Sequence, residues 1–250
     1  MRKIILLGDS IARGVVRENP EARYRISPHS FAKNCEEIMD VQIDNYARLG
    51  STVHQGLISF ERVKPKISEA SEVWLLFGGN DSNMSLSHID DSSEPLKYQP
   101  NVSLQDFQKH YGELIQNIQQ LGPKVTLLSL PPVAVHKFMK NVQKTIATSM
   151  GRCKWHKFIH YHPETLSNWH EVYNLAVWKL AHQYRVPIID ITTPFLKKGN
   201  CEPYFCDDGM HPNAQGHLLI TNAITQGRPD LVSLKRMWEQ QQKQSIQLSH

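Results

Sequence analysis

Short runs of consecutive apolar residues, rich in Val, Ile and Leu, recur along the chain with longer mixed segments between them. Five of them, Lys3–Leu7, Val41–Tyr46, Glu72–Phe77, Lys124–Ser129 and Val186–Ile191, have the length and near-continuous hydrophobicity of strands covered on both faces. Between the third and fourth runs, Leu104–Leu121 places Phe107, Tyr111, Leu114, Ile115, Ile118 and Leu121 at three- and four-residue steps, the period of an amphipathic helix. Gly122-Pro123 then ends it. Pro163–Tyr184 follows the same period, a further helix is expected from Pro212-Asn213 to Thr225, and a short one, Ile11–Val16, follows the first strand. Strands alternating with helices predict an α/β fold, a three-layer α/β/α sandwich around a five-stranded parallel sheet.

Two stretches break the alternation. Asp81–Asn101 is polar and reads as a loop or lid, and Pro131–Pro163 is longer and mixed in character. In a parallel sheet, loops that follow the carboxyl ends of strands surround the ligand crevice, so substrate selection is expected in these two segments. The last twenty or so residues are rich in Gln, with Leu231, Leu234, Met237 and Trp238 at helical spacing. They divide the chain into a main domain, 1–228, and a helical extension, 229–250, expected to dock on the domain or to serve a partner, a second copy included.

Composition narrows the class. With 40% apolar and 21% charged residues in 250, the chain has enough material for a sizeable core, which sets aside disordered and disulfide-scaffold classes. The 28 basic and 24 acidic residues leave a net charge of only +4, scattered along the sequence, so nucleic acid is not an expected partner. No apolar run reaches the roughly 18 residues of a membrane span. The apolar stretch after Met1-Arg2-Lys3 stops at Gly8, reading as a strand rather than a leader, and the four cysteines are expected as reduced thiols, so the expected location is cytoplasmic.

Four polar features follow predicted strands. Gly8-Asp9-Ser10 comes directly after the first; Ser10 there is either a helix cap or a nucleophile. Gly50 follows the second strand, and Gly78-Gly79-Asn80-Asp81 follows the third. Glycines let the backbone approach a ligand, and a side-chain amide can donate to an oxyanion, although Gly, Asn and Asp are also ordinary turn formers. Asp208-Gly209-Met210-His211 follows the fifth strand and its loop, and an Asp three residues before a His can orient the imidazole that a serine hydroxyl needs as its base. Each feature is weak alone. Their shared position, at the carboxyl ends of different strands, is what makes them a candidate site.

In these blocks the chain resembles the SGNH (GDSL-type) hydrolases, matching Gly8-Asp9-Ser10, Gly50, Gly78-x-Asn80-Asp81 and Asp208-x-x-His211 in order. The resemblance spans residues 1 to about 226, and it departs from the family at Ala47-Arg48-Leu49 and in Pro131–Pro163. It implies a flavodoxin-like sandwich in which Ser10 is the nucleophile, His211 the general base and Asp208 its orienting partner. The oxyanion hole it implies comprises the N–H groups of Ser10 and Gly50 and the side chain of Asn80. No cofactor or metal is implied. The expected substrate is a small ester, with a short-chain acyl or acetyl group on a carbohydrate or other small alcohol. Lysophospholipase or thioesterase activity is the alternative within the family, and a non-catalytic binding module on the same fold is the alternative outside it.

An α/β-hydrolase is excluded because Ala12 stands where its nucleophile motif needs glycine, and no nucleotide-binding glycine motif is present. Cys153, His156, His160 and His162 are of metal-binding type but at no standard spacing, so solvated or locally bonded side chains are expected. Cys201 and Cys206 are expected free. Lys137, Lys140 and Lys144 read as a solvated helix face. Trp155, Trp169, Trp178 and Tyr161 read as core aromatics or as a platform for a sugar ring.

Overall fold

In a computed structural model that describes residues 2–232 apart from 18, 20, 21, 85–96, 147 and 163, the first apolar run forms β1 (Arg2–Gly8), with Ile4 to Leu7 fully buried. The Asp9 carboxylate then accepts the N–H groups of Ile11 (2.9 Å) and Ala12 (3.5 Å), so Asp9 caps α1 (Ser10–Arg13) and Ser10 lies inside its first turn. Gly14 at φ 80° ends that helix after one turn. The helix expected to reach Val16 therefore gives way to β2 (Val15–Val16), which pairs antiparallel with β3 (Arg25–Ile26).

The chain continues through α2 (Phe31–Ile38), β4 (Val41–Asn45), α3 (Val53–Ile67), β5 (Glu72–Leu76), one-turn α4 (Gly79–Ser82), α5 (Leu104–Gln120) and β6 (Lys124–Leu128). Then come α6 (Val135–Thr145), α7 (Ser149–Tyr161), α8 (Thr165–Tyr184), β7 (Ile188–Ile189), α9 (Thr193–Leu196) and α10 (Ala214–Gly227). The five-stranded sheet is parallel throughout, in the order β4-β1-β5-β6-β7. Helix α2 packs on α10, and α3, α5 and α8 pack in series, giving the three-layer α/β/α sandwich expected. The first crossover moves to one side of β1 and the later ones to the other, so the switch point of the sheet lies beside β1, where such folds form their ligand crevice.

Three expectations need amendment. The run Val186–Ile191 pairs only at Ile188–Ile189: Pro187 has no N–H to offer, and the N–H groups of Ile191 and Thr192 go to the Ser129 hydroxyl at 2.8 and 3.1 Å. Pro131–Pro163 is mostly helical, as α6 and α7, and not the long loop its mixed composition suggested. Phe138, Met139 and Val142 of α6 meet Trp155 and Phe158 of α7, with Met84, Ile146 and Leu166, in a hydrophobic cluster separate from the main core. The Trp155 indole N–H reaches the Met139 carbonyl at 3.3 Å. Lys137 is not on a solvated face: its ammonium donates to the carbonyls of Glu202 and Phe205, both at 2.9 Å, while Lys140 and Lys144 are exposed.

Of the expected lid, residues 85–96 lie outside the described residues, and its two stems are joined by a bridge between Met84 and Pro100. The helix expected from Pro163 begins at Thr165, Pro163 itself lying outside the described residues. Of the extension 229–250, Pro229–Leu231 forms one 3-10 turn and Val232 bridges to Met39, while 233–250, with Leu234, Met237 and Trp238, lies outside the described residues. Among the described residues no helix is long and apolar enough to cross a membrane.

At the amino end of the sheet, Glu72 is a buried carboxylate that accepts from the Trp74 indole (3.0 Å), the Thr126 hydroxyl and the Arg228 guanidinium. Removing one partner of a buried ion pair leaves a charge without compensation. Arg228→Ala is therefore expected to lower unfolding free energy by about 3 kcal/mol in urea titrations, with Glu72→Gln in the same chain recovering most of the loss.

Candidate active site

The turn after β7 and α9 builds the imidazole position. Asp208 Oδ1 accepts the N–H groups of Met210 (2.9 Å) and His211 (3.0 Å), folding the four residues into a tight loop. Gly209 within it has φ 74°, and a Cβ there would overlap the backbone of Ala134 and Phe138, so the start of α6 seats directly on this turn. Ala134 N–H also donates to the Gly209 carbonyl at 2.8 Å. The second Asp208 oxygen faces His211 Nδ1 at 2.8 Å, and His211 Nε2 faces Ser10 Oγ at 2.8 Å. Serine, imidazole and carboxylate thus form one hydrogen-bonded line, all buried.

Burial alone would push the Asp208 carboxyl up, but the hydrogen bonds and charge of His211, with the Met210 N–H, more than offset it and hold it below the usual range. An ionised Asp208 fixes the proton on Nδ1, leaving Nε2 to accept from the serine.

The other two expected residues border the same cavity. Gly50 sits in a tight turn at φ 73°, a conformation that favours glycine. The Asn80 amide spends one N–H on the Ser51 carbonyl (3.1 Å), which orients the group and leaves the second N–H. Ser10, Gly50, Asn80 and His211 all line a cavity of about 280 Å³. Arg48 N–H bonds the Gly8 carbonyl (3.0 Å) and Asp9 N–H bonds that of Leu76 (3.2 Å), tying the loops after β4, β1 and β5 together.

Two buried carboxyls underlie these loops. Burial raises Asp9 to about 6, against the lowering effect of the Ile11 and Ala12 N–H groups. It raises Asp81 to about 7, with the Val53 N–H bond (2.9 Å) opposing and the charge of Asp9 adding to the rise. Asp81 Oδ2 has no hydrogen-bond partner.

The remaining walls carry no motif, but many come from Asp81–Asn101 and Pro131–Pro163, the two segments in which substrate selection was expected. Pro131, Pro132, Val133, Phe138, Leu166 and Met210 make the cavity largely apolar, and Tyr98, whose hydroxyl donates to the Ser82 carbonyl, stacks on Trp169 beside it. His170 is buried in the wall with Nε2 at 2.9 Å from the Pro131 carbonyl, and burial holds its pKa low, so it is a neutral imidazole. Tyr24, next to β3, lays its ring 5.1 Å from that of His211 with the Arg17 guanidinium over it at 5.4 Å, and burial and the charge of Asp208 hold its hydroxyl above the usual range. A lone tyrosine beside a two-residue strand carries no periodicity by which a sequence could flag it.

Other singled-out side chains lie elsewhere. Cys153, His156, His160 and His162 are exposed on or just after α7, and no group of three or more metal-ligating side chains occurs among the described residues. All four cysteines are free. Trp155 is a core residue of the second cluster, whereas Tyr161 and Trp178 are exposed.

The family model described as the GDSL-like lipase/acylhydrolase family matches residues 6–219. Among solved structures, the chain is similar to a lipase/acylhydrolase from Enterococcus faecalis, with 20% identity, a TM-score of 0.63, and 91% of this chain and 95% of that chain covered. It is similar to a catalytic mutant of an acetylxylan esterase from Geobacillus stearothermophilus (14% identity, TM-score 0.61, 90% and 93% covered). A lipolytic G-D-S-L family protein from Veillonella parvula is also similar (17%, 0.57, 90% and 97%). At these identities the structures share a fold with this chain. A comparison with the curated proteins finds no match.

Because Asp9 and Asp81 bind a proton more tightly folded than unfolded, their contribution to stability is whole below the ordinary carboxyl pKa and is lost as pH rises through about 6 to 7. Asp81→Asn keeps an acceptor for Val53 and removes the charge. Its melting temperature should exceed that of the wild type at about pH 8 and converge with it at about pH 4.

Proposed function

The chain belongs to the GDSL-like lipase/acylhydrolase family, and we propose that it is a serine hydrolase of carboxylic esters working through an acyl-enzyme. The observation that carries this reading is the unbroken line Asp208–His211–Ser10, its two links both 2.8 Å, opening into a cavity bordered by Gly50 and Asn80. Ser10 Oγ attacks the ester carbonyl as its proton passes to His211 Nε2, and Asp208 steadies the resulting imidazolium. The carbonyl oxygen, now negative, meets the N–H groups of Ser10, Gly50 and the Asn80 amide. His211 returns the proton to the leaving oxygen, and a water repeats the sequence on the acyl-enzyme.

On the acyl side, the walls from Pro131 to Phe138, with Leu166 and Met210, suit an apolar group. The cavity, at about 280 Å³, is several times the roughly 30 Å³ that one water occupies, so it takes short acyl chains and those longer than acetyl. Of the aromatic residues that suggested a sugar platform, Trp155 is buried in the second cluster and Tyr161 and Trp178 are exposed elsewhere, while Trp169 stacks on Tyr98 beside the cavity.

A fluorophosphonate probe should label the wild type and leave Ser10→Ala and His211→Ala unlabelled or nearly so. Asn80→Ala should lower kcat by about two orders of magnitude with little change in KM. A series of p-nitrophenyl esters from acetate to dodecanoate should peak above acetate. Absence of both labelling and turnover in the wild type would refute the reading in favour of a binding module.

A further inference from the structure

Ser82, the last residue of α4, meets His170 of α8 at 3.4 Å in the cavity wall, with Asn83 next in the chain, and all three line the cavity. Their hydrogen bonds do not balance. His170 Nε2 lies 2.9 Å from the Pro131 carbonyl, which can only accept, so the proton of this neutral ring sits on Nε2 and Nδ1 offers a lone pair. The Ser82 hydroxyl faces that lone pair, but the Gly79 carbonyl, 3.2 Å away, calls for the same hydrogen. One hydrogen thus stands before two acceptors, and both contacts are longer than the roughly 2.8 Å usual for a hydroxyl donor. Asn83 has the opposite imbalance. Its Oδ1 accepts the Met84 N–H at 2.9 Å, which fixes the orientation of the amide, and its own N–H is left with Met210 Sδ at 3.9 Å, a weak acceptor. The Tyr98 hydroxyl, also in this wall, is spent on the Ser82 carbonyl.

An acceptor short of a donor and a donor with a poor acceptor therefore stand on neighbouring parts of one wall. A group that donates and accepts through a single atom answers both, and that group is a hydroxyl. His170 is tied to Pro131, the first residue of the apolar wall assigned to the acyl half, so the pair serves that half of the substrate. We propose that the cavity takes an acyl group carrying a hydroxyl beyond its α-carbon: the hydroxyl donates to His170 Nδ1 and accepts from the Asn83 amide, and the Ser82 hydrogen goes to the Gly79 carbonyl. His170 and Asn83 are then specificity-determining residues. An alkyl chain of the same shape fits the apolar walls but leaves both polar groups unserved, which is how a site built for a hydroxyl rejects its methyl analogue. The proposal rests on the ester-hydrolase reading and names the acyl class within it.

The test uses pairs of methyl esters in which a hydroxyl takes the place of a methyl group: racemic 3-hydroxybutanoate against 3-methylbutanoate, and 6-hydroxyhexanoate against heptanoate. Each rate is divided by that of alkaline hydrolysis of the same ester. In at least one pair the wild type should favour the hydroxylated ester by about tenfold in kcat/KM. His170→Phe removes the acceptor and Asn83→Leu the donor, from different elements, and each should bring that ratio down to near one. If His170→Phe does not fold, Asn83→Leu carries the comparison. Ratios near one for both pairs in the wild type, or a ratio that a folded variant leaves unchanged, overturn the hydroxyl site, while turnover of the alkyl esters upholds the hydrolase. If no ester is turned over, the hydrolase reading is left to the fluorophosphonate labelling, and the site is judged by titration calorimetry with the esters themselves. Tighter binding of methyl 6-hydroxyhexanoate than of methyl heptanoate, lost in Asn83→Leu, supports it, and equal binding or none overturns it.

Discussion

One hydrogen bond, between the imidazole of His211 and the hydroxyl of Ser10, joins groups 201 residues apart and ties the last part of the fold to the first. It can form only because both residues stand at the same edge of one parallel sheet. Parallel strands all point the same way, so each contributes its carboxyl end to a common rim, and the change of direction beside β1 opens a gap there. The turns after β1, β4 and β5 are laced together by backbone bonds, from Arg48 to Gly8 and from Asp9 to Leu76, so the hydroxyl and its neighbouring donors are fixed relative to one another before any substrate arrives.

That fixity has an electrostatic cost. Asp9 caps α1 and Asp81 holds the first N–H of α3, each from a buried position that disfavours its own charge. Cavity and helix starts are organised by the same two carboxyls, a trade of stability for a preorganised rim that functional sites commonly show.

How much of this was legible in the sequence depended on how far each element obeys a local rule. Strands β1 and β5 are buried on both faces and read as continuous apolar runs, and α5 shows an unmixed helical period. The polar blocks stood out not singly, since Gly, Asn and Asp are ordinary turn formers, but because they fall at the carboxyl ends of different strands. Helix α6 carries a legible period, with Val135, Phe138, Met139 and Val142 at i, i+3, i+4 and i+7, but its N-cap is Ala134, without a capping side chain to mark where it starts. In α7 the buried Trp155 and Phe158 are interleaved with exposed Cys153, His156 and His160, whose chemistry drew the eye from their spacing. Of the cavity walls, Tyr98 and Pro131 to Phe138 come from the two segments where substrate selection was expected, whereas Tyr24, Leu166 and Met210 are brought there by tertiary packing that no local pattern encodes.

The contact between Gly209 and the first turn of α6 has a further consequence. Ala134 and Phe138 touch the turn through their backbones, so the position of that helix and the position of the imidazole are one geometric variable. Side chains at 133 and 138 face the cavity from this fixed support and, like Leu166 of α8, can be exchanged for larger or smaller ones at the cost of local repacking. Sliding the helix itself would displace the His211 imidazole from Ser10. Diversification of such a chain is therefore channelled: the shape of the chamber is free to drift by substitution, while insertions and deletions between Pro131 and Phe138 are closed to it.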